Sequence, residues 1–171
     1  MDNNLSYHVF QTSMGWIACL SSSTGLMEVT LPRISQESAL EALGEKALLA
    51  NRAPSKFREL EKQLQKYFLS EKPDFSFPLD FSGATPFRQR VWNAIRAIPY
   101  GETRTYGWIA QQAGKAGAAR AAGQAVGDNS IAIIVPCHRV VGSNGKPGGF
   151  GHGLDALDLK RALLRLEGVI I

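Results

Sequence analysis

The sequence predicts two domains: an α+β first half, and a mostly α-helical second half carrying a helix-turn-helix pair. Three observations carry that prediction. Short β-prone runs separated by turn residues fill the chain as far as Leu31. Apolar residues then recur at helical spacing as far as Leu69. Composition changes at about residue 82, after which three helical runs follow, each stopped by Gly or Pro. The 171 residues suffice for two small domains, which the composition divides into 1–81 and 82–171.

Tyr7–Phe10 and Trp16–Leu20 flank the turn Ser13-Met14-Gly15, and Gly25–Leu31 follows a Ser-rich turn, which together predict an antiparallel meander. Gln36–Leu49 has helical composition, with Leu40, Leu43 and Ala47 on one face. In Ser55–Leu69, Phe57, Leu60, Leu64 and Phe68 fall at helical spacing. Phe75, Phe77, Leu79 and Phe81 alternate with polar residues or Pro, as in an extended connector. The second half opens with Thr85 as N-cap and Pro86 at the first helical position, followed by the apolar face Phe87, Val91, Ile95 and Ile98. Thr105–Ala113 is the next helix, stopped by Gly114; Ala118–Val126 is the third, stopped by Gly127. Two short helices joined by a tight Gly-containing turn have the helix-turn-helix pattern. The third helix is almost all Ala and Gly, with Arg120 and Gln124 as its large polar groups. Such a helix can enter a nucleic-acid groove closely or pack tightly inside the protein. Ile131–Val135 reads as a buried strand, Gly142–Gly153 as a glycine-rich segment, and Leu157–Glu167 as a last helix with Leu159, Leu163 and Leu166 on one face.

The formal net charge of +4 is uneven: residues 1–80 carry 8 Lys and Arg against 10 Asp and Glu, and residues 81–171 carry 11 against 5. Between Thr85 and Gly149 the only acids are Glu102 and Asp128, against Arg88, Arg90, Arg96, Arg104, Lys115, Arg120, Arg139 and Lys146. That excess suits a polyanionic partner, since neutralised phosphates release counterions, or equally a solvated basic face. No apolar run approaches the roughly 20 residues of a membrane-spanning helix, and Met1-Asp2-Asn3-Asn4 opens no signal peptide, so a cytoplasmic chain without membrane attachment is expected. Cys19 and Cys137 are too far apart in sequence for a disulfide framework or a Cys-x-x-Cys metal pair.

Cys137 follows the Ile/Val run and Pro136, with His138 next to it. A thiol of ordinary pKa, about 8.5, needs a base or local positive charge to attack at neutral pH. His138 can serve directly or through a water, with a carboxylate orienting its imidazole. From these residues alone, Cys137 is a nucleophile or a small core residue.

Pro136-Cys137-His138-Arg139-Val140 resembles the active-site signature of the O6-alkylguanine-DNA alkyltransferases. The resemblance extends, in order, through Thr85-Pro86-Phe87-Arg88-Gln89-Arg90-Val91-Trp92, Ile98-Pro99-Tyr100-Gly101-Glu102-Thr103, Tyr106-Gly107, Ala118-Ala119-Arg120-Ala121 and Asp128-Asn129. Downstream it takes in Gly145, Gly149-Phe150-Gly151, Leu163-Leu164 and Glu167-Gly168. It implies a ribonuclease-H-like first domain and a winged-helix-like second one. It also implies repair by direct damage reversal. The protein binds double-stranded DNA, flips O6-alkylguanine (and O4-alkylthymine) from the stack and moves the alkyl group irreversibly onto Cys137 in one turnover, without a cofactor or metal and as a monomer.

The same resemblance assigns roles. Arg120 fills the space left by the flipped base, and Ala119 and Gln124 lie on the helix facing the minor groove. Tyr106 assists rotation and hydrogen-bonds the guanine, while the backbone at Cys137, Val140 and Gly151 reads the base edge and Phe150 walls the pocket. His138 acts on the thiol through a water, Glu167 orients the imidazole, and Asn129 braces the network. His152 stands where a glycine is common, and the chain from Gly153 to Lys160 is about three residues longer than the family spacing. The expectation is that Leu154–Leu159 forms a loop insertion, with Asp158 capping the helix and Glu167 still reaching His138. Competing readings are a Cys–His hydrolase, a helix-turn-helix regulator, and an alkyltransferase-like damage sensor without turnover; the last lacks the acceptor cysteine that Cys137 supplies.

Overall fold

The computed structural model describes residues 4–149 and 156–171. Phe150 and Gly151, expected at the pocket, lie outside the described residues. The chain divides into two compact units, one formed by residues up to 83 together with Ser130–Ala132, the other by the described residues of 84–129 and 133–171.

In the first unit, β1 (Ser6–Thr12) and β2 (Gly15–Ser21) form an antiparallel hairpin with His8 opposite Cys19 and Phe10 opposite Ile17. β3 (Leu26–Val29) pairs antiparallel with β2. Side chains alternate across the hairpin. Leu5, Val9, Ala18 and Leu20 pack with Ala39 and Leu43 around α1 (Gln36–Ala42). Helix α1 starts at a capping box in which Ser35 and Ser38 satisfy each other's backbone donors. The expected single helix Gln36–Leu49 stops short, because Gly44 takes a left-handed φ of +66° and the chain continues as a 3-10 turn over Gly44–Leu49. A two-residue strand, β4 (Asn51–Arg52), then pairs parallel with β1, giving the sheet order β3-β2-β1-β4. That parallel edge makes the sheet mixed and no sequence pattern announced it. The helix expected over Ser55–Leu69 begins as a 3-10 turn, Pro54–Phe57, before α2 (Arg58–Phe68). On the opposite side of the hairpin from α1, His8 lies 5.5 Å from the Phe10 ring and pairs with Glu61 of α2 at 3.0 Å. The connector lies along β3: Leu26 N donates to Pro78 O at 2.9 Å and Asp80 N to Leu26 O at 2.7 Å.

The second unit opens with α3 (Pro86–Arg96), whose Thr85 hydroxyl accepts from Arg88 N as an N-cap. β5 (Arg104–Thr105) leads into α4 (Tyr106–Gln112), capped by Thr105. After Gly114 and Gly117, both with φ near +80°, comes α5 (Ala119–Gly127). Ile109, Ala110 and Ala113 are buried, as are Ala122, Ala125 and Val126, so small residues let α4 and α5 approach closely. Trp92 Nε1 donates to Ala125 O at 2.8 Å, fixing α3 on α5.

The run Ile131–Val135 is not the continuous strand that its composition predicts. Ser130–Ala132 bridges to β3 within the first unit, with Val29 N donating to Ser130 O and Ala132 N to Val29 O, both at 2.9 Å. The chain then turns at Ile133, whose φ of +70° is strained for a β-branched residue, at a cost on the order of 1–3 kcal/mol. Cys137–Arg139 is a 3-10 turn, followed by β6 (Val140–Val141) pairing parallel with β5. Helix α6 spans Ala156–Leu166.

A Cβ on Gly25 would meet Pro78 O at 2.4 Å, whereas one on Gly83 would meet nothing within 4 Å. Gly25→Ala should therefore displace the connector and destabilise by roughly 1–3 kcal/mol, as other overpacked sites do, while Gly83→Ala is near neutral. Thermal melts of the two variants check this, and equal melting temperatures would refute the connector's close approach.

Candidate active site

The site is built from three pieces of the second unit: the turn that carries Cys137, the residue after α5, and the buried side of α6. The Cys137 amide donates to Val135 O at 2.8 Å, and Arg139 N donates to Pro136 O at 2.9 Å, so the 3-10 turn holds the thiol at a fixed place. Asn129, just beyond α5, donates from Nδ2 to Val135 O at 2.9 Å and to Cys137 Sγ at 3.3 Å. One amide group thus fixes both the approach to the cysteine and its sulfur.

His138 is fully buried and its Nε2 lies 2.6 Å from Glu167 Oε1. Glu167 also accepts from Arg139 Nε at 2.8 Å, from Arg139 Nη2 at 3.1 Å and from Gly101 N at 3.1 Å. Arg139 is 7% exposed and its Nη1 reaches Ile98 O at 2.7 Å. It belongs to the interior of the site and leaves the basic surface that its charge suggested.

Helix α6 corrects two expectations. Residues 156–159 are helical, so the loop expected over Leu154–Leu159 ends before Ala156 (Leu154 and Asp155 lie outside the described residues), and Asp158 sits within the first turn, paired with Arg161, instead of capping it. The buried face runs through Lys160, Leu163, Leu164 and Glu167, at i, i+3, i+4 and i+7; it keeps Leu163 of the expected face and leaves Leu159 and Leu166 half-buried. Fully buried Leu163 and Leu164 set the register that turns Glu167 inward to His138.

Lys160 is itself fully buried, with Nζ 2.6 Å from Val140 O and 3.5 Å from Gly149 O. Tyr106, half-buried at the start of α4, donates its hydroxyl to the same Gly149 carbonyl at 3.2 Å. A Cβ on Gly148 would lie 3.1 Å from that hydroxyl, and Gly148 has a φ of +56°, so glycine suits this contact on both counts. Arg120 and Gln124 are exposed on α5, with Ala119 half-buried beside them.

Electrostatics follow from this packing. Burial pushes the Cys137 thiol above its ordinary value, opposed by the Asn129 hydrogen bond and the charge of Lys160. Burial also holds His138 below the usual histidine range, against the pull of Glu167. For Glu167, burial acts to raise the carboxyl, but hydrogen bonds and charge from His138 and Arg139 outweigh it and bring it down to about 2. Burial lowers Lys160 to about 8.

Two family models cover the chain: the DNA binding domain of 6-O-methylguanine DNA methyltransferase over residues 86–169, and its ribonuclease-like domain over residues 5–81. A methylated-DNA–protein-cysteine methyltransferase from Mycobacterium bovis is 55% identical over 114 residues, 67% of each chain. The chain belongs to the 6-O-methylguanine DNA methyltransferase family. A relative of the same name from Methanosarcina acetivorans is 54% identical over 112 residues, 66% of this chain and 69% of that one. Among solved structures, Mycobacterium tuberculosis OGT in complex with DNA matches with a TM-score of 0.77 and 40% identity, over 95% of this chain and 92% of that one.

In this methyltransferase the structure pairs Cys137 with Asn129 and His138 with Glu167, and it ties Tyr106 and Val140 together through Gly149 and Lys160. The sequence reading missed Arg139 and Lys160 as members of the site. The signal for Lys160 was its spacing: three and four residues before Leu163 and Leu164, it shares their face.

Both buried ionisable groups make the fold acid-sensitive. Below the ordinary histidine value of 6.5, and again below the ordinary glutamate value of 4.5, the unfolded chain binds protons that His138 and Glu167 refuse in the fold. Stability therefore falls as pH drops below about 6.5, and falls further between about 4.5 and 2. Glu167→Gln should lower stability at pH 7 and flatten the second decline. Urea unfolding from pH 7 to pH 3 reads both effects, and an unaltered acid slope in the variant would contradict the assignment.

Proposed function

We propose that this methyltransferase repairs O6-alkylguanine in double-stranded DNA by transferring the alkyl group to Cys137, once per molecule. The observation that carries the reading is a thiol bound by an amide donor at 3.3 Å, next to a buried His–Glu pair at 2.6 Å. Anionic Glu167 favours the His138 tautomer with its proton on Nε2, which leaves Nδ1 as the basic nitrogen. The thiol proton passes to His138 through a water. The thiolate attacks the alkyl carbon, the S–C bond forms, and the C–O6 bond breaks with its electron pair left on guanine, which then takes up a proton. Cleaving the resulting thioether is far harder than cleaving a thioester, so the protein is spent. O4-alkylthymine presents the same alkyl–oxygen bond and is a second substrate.

DNA enters along α5. Its exposed side carries Arg120 and Gln124 among small residues, so the helix backbone can approach the minor groove closely. Arg120 occupies the space of the flipped nucleotide, Ala119 and Gln124 contact the duplex, and Tyr106 assists rotation. The Val140 carbonyl retains a second lone pair for the base edge beside its bond to Lys160. The α4–α5 pair with the β5–β6 ladder is winged-helix-like, the protein acts as a monomer, and the required free thiol places it in a reducing compartment, the cytoplasm.

Mixing the protein with excess duplex containing O6-methylguanine should add 14 Da, the difference of one CH2, to the intact mass and stop at one equivalent, with the adduct on Cys137. Cys137→Ser should bind DNA and transfer nothing, since an alkoxide is far harder to form than a thiolate. Transfer retained in that variant would refute the acceptor. Arg120→Ala should slow repair of duplex DNA at least about tenfold while leaving reaction with free O6-benzylguanine near the parent rate, because the free base needs no flipping. Equal losses on both substrates would assign Arg120 to the fold.

A further inference from the structure

After α5 the chain spends three residues in the first unit. Ser130–Ala132 belong to that unit, whereas Asn129 before them and Ile133 after them belong to the second. Three hydrogen bonds hold this excursion on β3 and its neighbourhood. Val29 N donates to Ser130 O and Ala132 N to Val29 O, both at 2.9 Å, and the Ser130 hydroxyl donates to Met27 O at 3.0 Å. Directly ahead stands Asn129, whose Nδ2 donates to Val135 O at 2.9 Å and to Cys137 Sγ at 3.3 Å. One NH2 group serves both acceptors, so a small rotation of the side chain sacrifices one of the two bonds. Asp128, one residue earlier, is tied to Arg88 of α3 at 2.6 Å. Asn129 is therefore held between two anchored neighbours. Directly behind the excursion, Ile133 keeps its φ of +70°, a conformation that persists only while the chain on either side is fixed.

Resting on the reading of Cys137 as alkyl acceptor, we infer that Ser130 is a positioning residue of the transfer reaction: its hook on Met27 and its place in the ladder with Val29 hold Asn129 in the orientation that aims the amide at the Cys137 sulfur. The first unit thereby acts on the chemistry through the three residues of backbone that it holds. Ser130 is exposed, so its hydroxyl is not there to satisfy a buried group. Its acceptor lies 103 residues earlier in sequence, so the bond is no local turn that any serine in such a place makes. Release of the hook lets Ser130 drift from β3, lets Ile133 relax, and turns the Asn129 amide away from the sulfur. Misplacement of a reacting group by about 1 Å costs on the order of a hundredfold in rate, and one lost hydrogen bond permits a smaller displacement than that.

The test follows Cys137 alkylation by intact mass over a range of free O6-benzylguanine concentrations, a reaction that needs neither DNA nor base flipping. It compares the full chain with its Ser130→Ala, Ser130→Gly and Ser130→Thr variants. Ser130→Ala should lower the limiting rate about threefold, the effect of one hydrogen bond. Ser130→Gly also frees the backbone and should lower it about tenfold, with the half-saturating concentration of the free base unchanged in both. Ser130→Thr keeps the hydroxyl and should restore the parent rate. In an Asn129→Ala background Ser130→Gly should slow the reaction no further, because the two residues act in series. A Ser130→Gly variant with the parent limiting rate overturns the inference, and so does a tenfold loss that persists in the Asn129→Ala background. A raised half-saturating concentration at the parent limiting rate also overturns it, by assigning the segment to base binding. If the Asn129→Ala protein does not fold, the threonine variant decides: a rate as low as that of Ser130→Ala removes the hook from the account. A parent protein that gains no adduct on Cys137 would instead refute the underlying function, an outcome distinct from all of these.

Discussion

The buried carboxylate of Glu167 is the constraint on which the second unit depends. Its side chain is fully excluded from solvent and it accepts from His138, twice from Arg139, and from the Gly101 amide. A buried charge left without its partners costs on the order of 3–5 kcal/mol, so the four donors have to arrive together. They come from the turn after α3 and from the cysteine turn, while the carboxylate itself comes from the end of α6. Satisfying one carboxylate therefore brings three distant stretches of sequence to one place. Tyr100 strengthens the same junction, its hydroxyl donating to Leu166 O at 3.0 Å.

This arrangement separates the groups that hold the Cys137 thiol from those that hold the His138 imidazole. Arg139 donates to both oxygens of Glu167 and anchors to Ile98 O, which fixes the carboxylate whatever the protonation of His138. The imidazole is then held by a partner that does not move. Asn129 performs the corresponding service for the sulfur, with its other contact on Val135 O. Strain at Ile133 fits the same picture. Ile133 lies between the bridge that Ile131 makes with β3 and the turn that carries Cys137, where a β-branched residue at positive φ persists only because the structure around it demands it.

Much of this was legible in the sequence where local chemistry determines structure. Thr85-Pro86 announced the start of α3, Gly114 and Gly127 marked helix ends, and the alternating runs marked the hairpin. What escaped was fixed by partners remote in sequence. Ile131–Val135 has the composition of a buried strand, but only Ile131 and Ala132 reach a neighbouring strand before the turn, and composition is blind to that. Arg139 looked like surface charge because its partners lie 28 and 41 residues away. In α6 the leucine pattern pointed to Leu159 and Leu166, whereas the buried face admits Lys160 and Glu167. A reading that expects apolar residues inside misses a helix that turns two polar groups inward.

The two cysteines show why residue type alone does not define the acceptor. Both are buried and neither is in a disulfide. Cys19 sits in β2 opposite His8, where its thiol donates to the His8 carbonyl at 3.5 Å; burial pushes it well up, and the nearby Glu61 charge pushes in the same direction. A backbone hydrogen bond with His8 works against that rise without offsetting it. Cys137 suffers the same burial, yet its sulfur accepts from Asn129 and feels the charge of Lys160, both of which favour the anion. An amide donor and a nearby cation both favour a thiolate over a thiol. The difference lies in the direction of one hydrogen bond, set for Cys137 by an asparagine eight residues earlier that is itself held on the chain leading to the cysteine.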